Sequence, residues 1–313
     1  MSAHSFGIVL AVAALVMFSA NILLIKQASL RVGLDLGFLL SVGVNLLFCS
    51  VLLAGQLLLS GTGIGWSWPA VLLFLLGGAC STYLGRWFFF EAVVRMGSAK
   101  ASLFQVSSPG FAALIAWVAL DETLSPPRLG AIGFTILGLA VIGYVPGMFG
   151  RAERAGPAPA SQGWSSRLKG STLMLGAGGS MAYAMGTVVR GAAIRDWNQP
   201  VAGALLGAVA GLLLYLVFNP AIRSVPASLR AADRRGVLLF VACGVVTISA
   251  QICSIWSLRY IEVALSNLIT LSTPLLVIPA GYLLLAQKEV LSARTWIGGA
   301  MVLAGVAALT LTR

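Results

Sequence analysis

The chain has 313 residues, of which 59% are hydrophobic and only 9% charged, a balance that leaves no stretch long enough for a soluble domain between its apolar segments. Its net charge of +11 comes from basic residues at the ends of those segments rather than on one folded face, so membrane topology accounts for it better than nucleic-acid binding. With His4 as its one histidine, a His-based metal site or catalytic dyad inside the apolar segments is excluded.

A helix rises about 1.5 Å per residue, so roughly 20 apolar residues cross a hydrocarbon layer of roughly 30 Å. In chain order such spans are expected at 6–25, 36–59, 69–91, 98–120, 127–146, 171–189, 200–218, 236–257, 262–285 and 293–311. They lack the in/out alternation of barrel strands, and in lipid only helices or closed barrels satisfy every backbone group. The expected fold is an all-α polytopic membrane protein of ten transmembrane helices, with 36 glycines to bring them close.

Span one has no Lys or Arg before Phe6 and no A-x-A site before Lys26, so it reads as a retained helix rather than a signal peptide. Loops after odd-numbered spans carry most of the Lys and Arg, against Arg128, Arg190, Arg195 and Arg259 after even ones. The positive-inside rule then puts both termini away from the cytoplasm, and an even number of spans puts them on the same side.

Span three carries charge, which is costly in lipid and marks a functional candidate. Arg86 has Tyr83 and Phe90 as helical neighbours and no local acid. Two readings stay open for it. Either it projects into a cavity and attracts an anionic or zwitterionic group beside Tyr83, or it snorkels to the interface or pairs with Glu91. Glu91 itself has Arg95 at i+4, the spacing of a helical ion pair, which competes with a role in proton coupling.

Uncharged polar residues inside spans, among them Asn21, Asn45, Gln105, Ser107, Ser108, Tyr183, Gln251, Asn267, Thr270 and Thr273, either bond neighbouring helices or line a path. Pro109 and Pro274 fall mid-span, where each removes a backbone bond and can kink its helix, as a hinge or as a fixed bend. Cys49, Cys80, Cys243 and Cys253 lie within spans without C-x-x-C spacing and read as small apolar packing residues. Trp66 and Trp68 suit an interfacial belt.

The polar insert from about Gly147 to Gly170, containing GPAPASQG, reads as a linker. It separates a first unit, 1–150, from a second, 171–313, with 151–170 between them. The units repeat. Setting Pro109 over Pro274 aligns residues 97–109 with 262–274, so that Ala99 meets Ala264, Leu103 meets Leu268, Ser107 meets Ser272 and Ser108 meets Thr273. Glu122 to Ser125 then echoes Glu289 to Ser292, and Lys26 ends span one much as Arg190 ends span six. A repeat of five spans enters the membrane from the opposite face in its second copy, giving two inverted five-helix repeats.

On these residues the chain resembles ten-span, EamA-type members of the drug/metabolite transporter superfamily, over nearly its full length. Phe18 to Asn21 through Lys26 is similar to the family's first-span ending, and the small-residue run into Ser-Pro or Thr-Pro, then Glu-x-Leu-Ser, to its fourth and fifth spans. The resemblance implies a bacterial inner-membrane carrier working by alternating access, with a central cavity faced by spans one, three, four and eight. Asn21, Gln105 and Gln251 are the expected liners on that plan. Small four-span relatives use a first-span glutamate for cation and proton exchange; this first span has no acid.

The expected function is secondary-active transport, in the export direction, of a small polar metabolite such as an amino acid. No G-x-x-x-x-G-K-[ST] loop is present to couple it to ATP. A flippase for a lipid or lipid-linked sugar is the alternative on the same fold. An enzyme is not expected, since the nine acids are scattered rather than clustered. The partners expected are the solute and membrane lipid, with no cofactor, no metal, no nucleic acid and a monomeric chain.

Overall fold

The computed structural model describes residues 2–60, 65–112, 115, 126–143, 172–219, 225–261, 263–285 and 293–311. Among them there is no strand. The first unit comprises α1 (Ala3–Ser29), α2 (Leu34–Ser60), a continuous third span made of α3 (Trp68–Gly78), a π-helical segment (Ala79–Gly85) and α4 (Arg86–Met96), then α5 (Ser98–Gln105) and α6 (Pro126–Gly143). The second comprises α7 (Thr172–Asp196), α8 (Pro200–Phe218), the short α9 (Val225–Ala231), α10 (Arg234–Ser257), α11 (Val263–Leu271), α12 (Pro274–Leu285) and α13 (Ala293–Leu311). Among the described residues five stretches are long and apolar enough to cross a membrane: Ala3–Ser29, Leu34–Leu59, Trp68–Met96, Pro200–Phe218 and Arg234–Ser257. Shorter apolar runs, Leu129–Gly138 and Trp296–Gly305, lie in α6 and α13.

The helix starts are written locally. Ser2 caps α1 by accepting from the Ser5 N–H at 3.2 Å, Ser67 caps α3, and Asp233 caps α10, each satisfying a first-turn donor. Gly97 stands between α4 and α5 with φ 89°, a conformation that glycine adopts without the steric cost of a Cβ.

The helices pack as a two-fold would demand. In the repeat, spans one to five correspond to six to ten. Span one (α1) packs along span eight (α10), and its counterpart span six (α7) packs along span three (α3 to α4). Span two packs on span eight and span seven on span three, another exchanged pair. Direct counterparts also meet across the axis, α2 with α8 and α6 with α13, and α5 of span four meets α12 of span nine. These exchanged pairings are those of two repeats related by a two-fold.

Small residues set the closest approach. A Cβ built on Gly78 would stand 2.3 Å from the Gly207 Cα, so any side chain there forces α3 and α8 apart. The outer faces are apolar, with Leu47, Val51, Leu58, Leu72, Val217 and Leu283 exposed as lipid contacts require. Trp66 and Trp68 are exposed and stack on one another, and Trp66 also stacks on Trp197 with ring centroids 5.6 Å apart.

Three expectations need correction. Span six does not stop at residue 189: α7 runs to Asp196, so Arg190 and Arg195 belong to the helix rather than to a loop. Spans four and nine are not single helices. α5 ends at Gln105 and helix resumes over 108–112, while α11 ends at Leu271 and α12 begins at Pro274. The linker and the paired Glu-x-Leu-Ser motifs lie outside the described residues.

Candidate functional site

The π-helical segment of span three sets up the site. The Arg86 N–H reaches the Ser81 carbonyl five residues back, and this wider turn re-aims the face that follows it. Arg86 is 4% exposed. Its partner is Asn45 on α2, whose amide orientation is fixed by its other neighbours: the nitrogen donates to the Gly244 and Ser41 carbonyls, each at 2.8 Å. The Asn45 oxygen then accepts from Arg86 Nη2 at 2.9 Å and Nη1 at 3.0 Å. Snorkelling and pairing with Glu91 are both excluded, since Glu91 takes Arg95 Nε at 3.0 Å instead.

A second arginine faces the same space. Arg190, on α7, is 6% exposed, donates from Nη2 to Thr82 Oγ1 at 3.1 Å, and leaves its Nε without a partner among the described residues. Gly77 makes room for it: a Cβ there would lie 2.8 Å from Arg190 Cγ. Tyr183, seven residues and about two helical turns earlier on α7, lies within electrostatic reach of both guanidinium groups.

Between the two units these side chains border a cavity with about 810 Å³ of space not filled by atoms, part of it open to solvent. α1 contributes Phe18, Asn21 and Ile22; span three contributes Ser81, Arg86, Phe89 and Phe90; α5 contributes Gln105. From the second unit come Tyr183, Thr187 and Arg190 on α7, Thr247, Gln251 and Ser254 on α10, and Asn267 and Thr270 on α11. The register that sets Pro109 over Pro274 also sets Arg86 over Gln251 and Gln105 over Thr270. All four line the cavity, so it straddles the relation between the repeats.

Of the residues singled out from sequence, Arg86, Asn21, Gln105 and Gln251 are brought together here. Tyr83 is not: it turns away and meets Phe38 edge-on, with ring centroids 6.2 Å apart. Glu91 is also off the cavity lining, in its pair with Arg95. Pro109 and Pro274 do not kink continuous helices. Each sits in the first turn of a newly started segment, where a missing N–H has no intrahelical partner to lose.

Hydroxyls meet the end of the helix before Pro109: the Phe104 carbonyl accepts from Ser107 Oγ at 2.6 Å and from Ser180 Oγ of α7 at 2.5 Å. Within α11, Thr270 Oγ1 donates to the Ser266 carbonyl one turn back at 2.6 Å. The buried oxygens of Asn21, Gln105 and Gln251 and the Asn267 Nδ2 have no partner among the described residues. Arg190 is the residue that sequence reasoning missed as a liner. Its signal was the run Gly-Ala-Ala-Ile after it, which lets the helix continue to Asp196.

A family model described as the EamA-like transporter family matches residues 5–144 and again residues 170–311. No curated protein matches the chain significantly. Among solved structures 27 chains match; one, described only as the crystal structure of a protein, is 17% identical. Each chain is 99% covered there, with a TM-score of 0.61, a likeness that extends to the fold alone.

Proposed function

The chain belongs to the EamA-like transporter family, and from that membership we propose that it is a secondary-active carrier that exports a small polar metabolite, such as an amino acid, across the bacterial inner membrane. The observation that carries this reading is the polar cavity between the two repeats, with two buried arginines and four amide side chains on its wall. Buried polar groups without partners are expensive unless something fills their needs, and a passing polar solute does so.

Alternating access follows from rocking one repeat against the other about this site, with the interrupted spans four and nine as the flexible points near Pro109 and Pro274. Arg86, Asn21, Gln105 and Gln251 contact the solute in this scheme. Glu91, already neutralised by Arg95, stays outside the coupling step.

The test is uptake of labelled solutes into proteoliposomes containing the purified full-length chain. Saturable, protein-dependent uptake that an excess of the same unlabelled solute competes away is expected. If no solute moves while labelled lipid exchanges between leaflets, the carrier reading falls and the chain is a flippase.

A further inference from the structure

Resting on the carrier reading, we propose that the solute carries two anionic groups, one for Arg86 and one for Arg190. A guanidinium is charged at any accessible pH, and burying it without a counter-charge is costly. Both arginines are nevertheless buried, and among the described residues every hydrogen-bond partner they have is neutral: Asn45 and Ser41 for Arg86, Thr82 for Arg190.

The described acids are committed elsewhere. Glu91 holds Arg95, Asp233 holds Arg31, Asp35 accepts from Asn219 Nδ2 at 3.0 Å, and Asp196 takes the Ser67 hydroxyl. Among the described lining residues none is acidic. The cavity wall therefore presents two positive charges.

The two guanidinium groups come from different repeats and are held by separate partners, so a solute with one carboxylate satisfies only one of them. A neutral zwitterion also brings an ammonium into a wall that is already cationic. A solute with two anionic groups matches both, and Arg makes strong charge-assisted hydrogen bonds to carboxylate and phosphate alike. The unpartnered Arg190 Nε and Asn267 Nδ2 add donors, while the amide oxygens of Asn21, Gln105 and Gln251 are free for a hydroxyl or ammonium on the same molecule. Dicarboxylates, acidic amino acids and phosphate monoesters share this chemistry.

The experiment titrates the purified full-length protein with succinate, glutamate, glycerol 3-phosphate, alanine and lysine at matched ionic strength, reading thermal stabilisation and then proteoliposome uptake. Stabilisation and uptake with at least one of the first three, and not with alanine or lysine, is the expected result. Whether the carboxylates or the phosphate ester respond separates the two anion types. Arg86→Gln and Arg190→Gln are each expected to weaken that binding by at least tenfold.

Should the arginine variants fail to fold, Asn45→Asp, checked for folding by its own melting transition, keeps the test open. It supplies a carboxylate about 3 Å from Arg86 in exchange for the two hydrogen bonds that the amide nitrogen donates to the Gly244 and Ser41 carbonyls, and is expected to abolish the response to the two-anion solute. Two-anion binding undiminished in Asn45→Asp overturns the proposal. Uptake of alanine alone also overturns it, yet leaves the carrier reading standing; uptake of none of the five overturns both.

Discussion

Asn45 gives Arg86 two hydrogen bonds without cancelling its charge, so the guanidinium is held in place and still needs an anion. Asn45→Leu removes both bonds and leaves a buried charge short of partners, which is expected to destabilise the protein by about 2 kcal/mol, measured by denaturant titration in detergent. At the surface, the Arg31 hydrogen bond holds the Asp233 carboxyl below the usual carboxylate range. Its contribution is present above the unfolded-state value of about 3.9 and fades as pH falls through the lower native one. Asp233→Asn is accordingly expected to be less stable than the parent near neutral pH, with the gap closing as the buffer is acidified, read from melting temperatures across a pH series. Arg86 was legible in the sequence because a charge stands out inside an apolar run. Arg190 was not, because it follows an apolar run, and hydropathy does not distinguish a loop from a helix end packed inside protein.

Spans four and nine show how far a helix pattern can be read. Their prolines announced an irregularity, but a kinked continuous helix and a stopped and restarted one share the same sequence cue. The first break is also met by a contact that no local pattern carries, the Ser180 hydroxyl, which joins the Ser107 N–H and hydroxyl on the Phe104 carbonyl. Pro274→Ala restores an N–H at the restart of span nine and allows the helix to run through. If the break is the moving part, transport slows several-fold while solute affinity, read by thermal titration, stays the same; an unchanged rate assigns the break a purely structural role. The same outcome is expected for Pro109→Ala.

At the scale of the molecule, the repeat was visible in thirteen aligned residues around Pro109 and Pro274, and the exchanged helix pairings follow from it. Extending that register pairs Arg86 with Gln251, so part of the central wall was already encoded in the alignment. From α7 only Tyr183 was among the polar candidates read from sequence; Thr187 and Arg190 were not, since nothing in the aligned motif reaches that helix. An even number of crossings predicts that tags fused at both ends are reached by a membrane-impermeant reagent from the same side in oriented vesicles; labelling from opposite sides removes one crossing from the fold. The two central guanidinium groups are also fixed charges inside the bilayer's electric field, where moving one elementary charge across the whole drop is worth about 2.3 kcal/mol per 100 mV. With a doubly negative solute bound, the centre is electrically neutral and its reorientation is silent to the membrane potential. Voltage then acts on the return of the vacant protein, which makes that half of the cycle the one a patch of polarised membrane can speed or stall.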